Sequence, residues 1–213
     1  MTDNIVLFYL FFIVVGFFTA MLGTIIGAGG GIVFVPLFMY WFPEWSPSMI
    51  VGTSLFSVMC NAISGSLAYL KQKKVYISAA LIFSVATFPG AIIGAQMSDE
   101  FSGPGFKFAF GCFMLCASFL IGFKNFGKKE ERKEESLTKD QVTYNKPIGI
   151  AISVIVGFIS SIFGIGGGLV HVPALIYIMG FPTHLATATS HAILAVSTAV
   201  GVITHLIENH IVF

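Results

Sequence analysis

The sequence predicts an all-α, polytopic membrane bundle of two homologous halves, and three observations predict it. The chain is 56% hydrophobic and 10% charged, with a mean hydropathy of +0.90, whereas an average soluble domain carries roughly 25% charged residues. Of its 21 charged residues, 12 lie between Lys124 and Lys146 and the rest fall at segment ends. That distribution leaves apolar runs near the ~20 residues that span a bilayer. Finally, Gly27-Ala28-Gly29-Gly30-Gly31-Ile32-Val33-Phe34-Val35-Pro36 recurs as Gly164-Ile165-Gly166-Gly167-Gly168-Leu169-Val170-His171-Val172-Pro173. Thr53-Ser54 and Gly65 recur at a nearly equal offset as Thr189-Ser190 and Gly201. Self-similarity at a fixed period indicates a duplicated architecture.

Residues 5 to 42 form an uncharged stretch too long for one ordinary span and interrupted by the glycine motif, so a break between helical pieces is expected there. No basic n-region precedes it, and residue 1 is read as the start of the mature chain. Pro43 to Pro47 reads as an interfacial turn, with Trp41 and Trp45 in the headgroup belt. Residues 48 to 70 make the next block and end at Lys71-Gln72-Lys73-Lys74. Within it Ser54, Ser57, Asn61 and Ser64 mark a polar face expected to look inward. Residues 76 to 97 follow, with a kink expected at Pro89-Gly90 and a GxxxG contact at Gly90 and Gly94. Residues 106 to 125 form the fourth block, where Lys107 can snorkel to the interface.

These blocks constitute a first transmembrane repeat over residues 1–126. Residues 127–146 read as a charged linker, and residues 147–213 as a second, incomplete repeat. The Lys and Arg excess at Lys71 to Lys74 and in the linker places both on the cytoplasmic side, with two crossings between them. In the second half, Gly149, Ser153 and Gly157 offer small-xxx-small contacts ahead of the repeated motif. Residues 184 to 206 mirror 48 to 70, but Ile207-Glu208-Asn209-His210 replaces the basic cluster. That loss favours opposite orientations for the halves, which a glycine-broken hairpin in each would permit.

The candidate site follows from the breaks. A glycine-rich interruption exposes backbone N–H groups, and the helix that resumes carries a partial positive charge suited to an anion. Matching broken helices in two repeats point to a transporter site. The candidate substrate-binding set is Gly27, Gly29, Gly30, Gly31, Thr53, Ser54 and Asn61 from the first half. Gly164, Gly166, Gly167, Gly168, Thr189, Ser190 and His191 complete it from the second. No Lys or Arg lies inside a span, so dipoles and hydroxyls would neutralise the ligand. The simpler alternative is that the glycines only permit close helix crossing.

All five histidines fall in the second half, and His171, His191 and His205 are candidates for proton coupling. His205 and His210 also lie near a segment end, where an interfacial role would suffice. With no close HxxxH pair and no CxxC, no metal site is expected. Cys60, Cys112 and Cys116 are read as packing residues. No cofactor is expected, and the net charge of +1 offers nothing for nucleic acid. The expected partners are a small anion and the lipid bilayer, with homo-oligomerisation left open.

The duplicated GxGGGxxxVP, the following Gly52-Thr53-Ser54 and Ala188-Thr189-Ser190, and the charged linker between hydrophobic halves resemble the TauE/SafE-like sulfite exporter family of membrane permeases. The resemblance covers nearly the whole chain. It implies transport, often export, of sulfite, sulfonates or other small sulfur-containing anions across a bacterial inner membrane. Phe213 aligns near Ile77, so the counterparts of blocks 76 to 97 and 106 to 125 are expected to be missing. A non-transporting membrane partner or a shortened remnant of such a permease is therefore the alternative. An enzyme is not expected: there is no clustered histidine motif, and Ile63-Ser64-Gly65-Ser66 is a poor match to a hydrolase elbow.

Overall fold

The computed structural model describes residues 2–101, 103–125 and 144–212. The expected linker lies largely outside them. Among the described residues every element is helical: α1 (Thr2–Ile26), α2 (Gly31–Trp41), α3 (Pro47–Lys71), α4 (Ile77–Met97), a 3-10 turn (Ser98–Glu100) and α5 (Gly103–Asn125). After the linker come α6 (Lys146–Phe163), α7 (Gly168–Tyr177) and α8 (Thr183–Ile207). α1, α3, α4, α6 and α8 are each long and apolar enough to cross a membrane.

The two expected helix breaks are present, and backbone stereochemistry explains them. Gly27, Gly29 and Gly30 have φ of 79°, 79° and 96°, and Gly164, Gly166 and Gly167 have 73°, 83° and 75°. A side chain strongly disfavours this left-handed region and a right-handed helix cannot pass through it, so α1 and α6 stop where it begins. Elsewhere, ends follow local chemistry. The Ser46 hydroxyl accepts from the Met49 N–H at 3.2 Å ahead of Pro47, and the Asn145 side-chain Oδ1 accepts from the Ile148 N–H at 3.3 Å ahead of Pro147. Both are polar caps followed by a proline whose missing N–H costs the first turn nothing.

Each break folds its pair of helices into a hairpin. Phe8 on α1 packs edge-on against Trp41 at the end of α2, with ring centroids 5.7 Å apart. That hairpin opens toward the Trp45 end of α3. The α6–α7 hairpin opens toward the other end, where Tyr144 meets Tyr76 at 5.8 Å and Phe181 at 5.4 Å. The end of the linker therefore sits at the same end of the bundle as the Lys71 to Lys74 turn.

Small residues set the closest helix pair, α4 on α6. A Cβ added to Gly90 would strike the Val154 carbonyl, one added to Gly94 the Phe158 carbonyl, and one added to Gly157 the Thr87 carbonyl. Both small-residue motifs thus face each other, and backbone approach replaces side-chain interdigitation. Pro89 sits inside a helix that remains continuous. α3 packs on α8 through the middle of the molecule, whereas α1 turns Leu7, Ile13, Phe17 and Ile25 outward. Such an apolar exterior is what a hydrocarbon surrounding demands.

Two expectations fail here. Cys60, Cys112 and Cys116 are exposed on outward helix faces and are not packing residues of the core. Ser64 is exposed as well, so the polar face of α3 looks inward only over Ser54 to Asn61. Spacing of i+10 accumulates enough angular drift on a helix of 3.6 residues per turn to carry the last member off the buried side.

The turns that follow α3 and α8 have matching geometry. The turn after α3 places Lys73 at φ 56° and bonds the Lys74 N–H to the Tyr69 carbonyl at 3.1 Å. The turn after α8 places Asn209 at φ 59° and bonds the His210 N–H to the His205 carbonyl at 2.9 Å.

Candidate anion site at the paired glycine breaks

The breaks meet in the middle of the bundle. A Cβ on Gly31 would lie 2.5 Å from the Ile165 Cα, and one on Gly168 would lie 2.6 Å from the Ala28 Cα. Each break is also held by a hydroxyl from the opposite half. Ser54 on α3 donates to the Gly164 carbonyl at 2.7 Å, and Ser190 on α8 donates to the Gly27 carbonyl at 3.3 Å. Both serines are fully buried. The carbonyls they engage belong to chain reversals with no helical partner to offer, so the serines supply the missing donors. The N-termini of α2 and α7 thus start beside each other in the centre of the bundle, each with the positive end of its dipole there.

Asn61 extends this centre toward α1. Its Nδ2 donates to the Gly29 carbonyl at 3.1 Å, its Oδ1 accepts from Thr24 Oγ1 at 3.0 Å, and the Tyr69 hydroxyl donates to the Thr24 carbonyl at 3.0 Å. An open recess of about 320 Å³ borders Thr24 and Asn61 between Phe17, Ala20, Met21 and Ile25. Thr24 and Tyr69 were missed in the sequence. Thr24 could have been found, because it matches Ser161 at the motif offset of 137.

His191 is buried beside these residues. Its ring stands edge-on to Tyr69 at 5.9 Å, a Cβ on Gly65 would strike it, and neither ring nitrogen has a hydrogen-bond partner among the described residues. Its counterpart at an offset of 136 is Leu55, likewise buried. The second half therefore carries an imidazole where the first carries a hydrocarbon. His171 pairs instead with Ser153, Nε2 to Oγ at 3.1 Å, between α6 and α7.

Thr53 and Thr189 behave differently from the expectation. The Thr53 hydroxyl accepts from the Val212 N–H at 3.2 Å, and the Thr189 hydroxyl accepts from the Tyr76 N–H at 3.0 Å. Each ties down the segment that follows the opposing central helix, and neither bonds to a glycine break. One residue along a helix turns the side chain by about 100°, which separates Thr53 from the role of Ser54. His205 lies at the far end of α8, where its Nδ1 is 3.2 Å from that of His210, and so stands apart from the breaks.

Five bilayer-length apolar helices and two hairpins broken inside the bundle define a multi-pass membrane protein with the build of a transporter. The chain belongs to the family described as sulfite exporter TauE/SafE, whose sequence profile matches residues 12–213. It is 33% identical to the "Probable membrane transporter protein YunE" of Bacillus subtilis, over 95% of this chain and 80% of that one. It is 28% identical to "Probable membrane transporter protein MJ0441" of Methanocaldococcus jannaschii, over 92% and 72% of the two chains. With "Probable membrane transporter protein YfcA" of Escherichia coli the identity is 24%, over 86% and 65%. No solved structure matches the chain.

Proposed function

We propose that this membrane transporter carries small sulfur-containing anions such as sulfite or organosulfonates, outward across a bacterial inner membrane, and holds them at the paired glycine breaks. The observation that carries this reading is the reciprocal exchange in which Ser54 and Ser190 each bond the break of the other half. An oxyanion could take the N–H groups of two helix N-termini at once there, with hydroxyl and amide donors from Ser54, Ser190 and Asn61 close by. The breaks are in backbone contact in this conformation, so the ligand would enter as the hairpins separate. Because the hairpins open toward opposite ends, we read the halves as an inverted pair in which separating one hairpin or the other gives alternating access. His171 or His191 would carry a coupled proton. The Lys71 to Lys74 turn and the linker would face the cytoplasm.

Flux measured in proteoliposomes tests this reading, using sulfite, sulfate and an alkanesulfonate against chloride as the reference anion. Saturable flux of a sulfur oxyanion is expected to be abolished in the Ser54→Ala, Ser190→Ala double variant. Flux indistinguishable from empty liposomes for the whole panel would overturn it.

A further inference from the structure

We propose that His205, Glu208 and His210 form a zinc site at the end of α8, with Asp99 as the outer carboxylate that orients His210. The site is separate from the glycine breaks and does not depend on the transport reading.

Two of the three ligand-atom separations suit zinc as they stand. The three side chains bring their ligand atoms within 4.8 Å of one another. His205 Nδ1 and His210 Nδ1 are 3.2 Å apart, and His210 Nδ1 is 3.5 Å from Glu208 Oε2. Tetrahedral zinc with bonds of about 2.0–2.1 Å places neighbouring ligand atoms about 3.3–3.4 Å apart, between the two measured separations. On its other ring nitrogen, His210 Nε2 faces Asp99 Oδ2 at 3.2 Å. A zinc-bound histidine characteristically directs its second nitrogen at a carboxylate in this way, which fixes the tautomer that leaves Nδ1 free to ligate.

A shared proton between the two imidazoles would account for their approach but not for the glutamate. The Glu208 Oε2 atom is itself buried and accepts no hydrogen bond among the described residues, with His210 Nδ1 3.5 Å away and the side chain 27% exposed. A cation held between the imidazoles and this oxygen would satisfy it. Two histidines and one carboxylate form the donor set of an open zinc site, leaving a fourth position for water or an exogenous ligand. His205 is fully buried, whereas the Asp99 side chain is 48% exposed, so the cluster has a dry floor and an aqueous mouth.

The cluster is also organised without metal. Asn209, at φ 59°, reverses the chain after α8 and brings His210 back over His205. In a continued helix those two residues would point about 140° apart. The turn is pressed onto α3, where a Cβ on Gly52 would lie 2.7 Å from the His210 carbonyl oxygen, and Thr53 holds the Val212 N–H. Zinc would therefore fasten the end of α8, in the second half, to the end of α4, in the first.

The test is zinc binding to the detergent-purified chain after chelation and removal of any affinity tag, followed by calorimetry and metal analysis. One zinc per chain is expected, with a rise in melting temperature on zinc addition and the intense visible bands of tetrahedral cobalt on substitution. Glu208→Gln and His210→Asn should each weaken zinc binding at least 100-fold, and Asp99→Asn should weaken it about 10- to 100-fold. His184→Ala, at an exposed position on α8, should leave binding unchanged. Monodisperse protein that takes up no stoichiometric zinc would overturn the proposal. So would Glu208→Gln or His210→Asn protein that binds zinc as tightly as the parent.

Discussion

The hydroxyl of Ser190 donates to the carbonyl of Gly27, 163 residues away in sequence, at 3.3 Å. Ser54 makes the matching bond to Gly164 from the other half. Each glycine break is thus completed by a residue from the half that does not contain it. Removing one hydroxyl leaves a buried carbonyl unpaired, a loss of about 1–3 kcal/mol. Ser54→Ala and Ser190→Ala should each lower the melting temperature in detergent by a few degrees. Each should also cut anion flux at least tenfold at equal reconstituted amounts. Wild-type flux in both variants would separate the hydroxyls from the site.

Glycine at the breaks meets two demands at once. Gly30 has φ 96°, with Thr19 Cγ2 3.0 Å from an added Cβ, and Gly167 has φ 75°, with Val156 Cγ1 at 2.8 Å. A β-branched residue in this region carries about 1–3 kcal/mol of backbone strain before any steric contact is counted. Gly30→Val and Gly167→Val should abolish flux, while Cys112→Ala, on an outward face, should be nearly silent. Normal flux with normal membrane abundance in both valine variants would return these glycines to a packing role.

His191 occupies the place that Leu55 fills in the other half. Neither ring nitrogen has a hydrogen-bond partner among the described residues, which is a burden on stability at a buried position. His191→Leu should therefore hold or raise the melting temperature. If the imidazole carries the coupled proton, the same variant should lose the response of flux to an imposed pH gradient. A pH-gradient response equal to that of the parent would exclude His191 and leave His171 as the remaining intramembrane candidate near the breaks.

The Lys71 to Lys74 turn and the end of the linker share one end of the bundle, where Tyr144 packs on Tyr76. A cysteine introduced in place of Lys73, in a background with Cys60, Cys112 and Cys116 replaced, should resist an impermeant thiol reagent applied outside intact cells. It should react in inverted membrane vesicles. The reverse pattern would invert the topology.

Close packing of α4 on α6 also exposes the limits of pattern reading. Gly90, Gly94 and Gly157 were legible as contact glycines because small-xxx-small spacing marks one helix face whatever its partner. Which helix answered, and that Thr87 and Val154 carbonyls would be the contact atoms, was not.

The sequence by itself determined the membrane class, the helical spans, the two breaks and the glycines in them. All of these follow from properties carried by a residue and its near neighbours: apolar run length, charge placement, and the steric freedom of glycine. Only the tertiary structure decided that Ser54 and Ser190 bond across the halves while Thr53 and Thr189, one residue earlier, hold the chain after the opposing helix. It alone gave Asn61 its partners Thr24 and Tyr69, and turned the three cysteines outward. It also brought His205, Glu208, His210 and Asp99 together through a single left-handed residue at Asn209. These outcomes depend on the rotation of each helix about its axis and on contacts between residues far apart in sequence. That rotation is set by which faces can approach to backbone distance, a condition that only the packed ensemble of helices imposes.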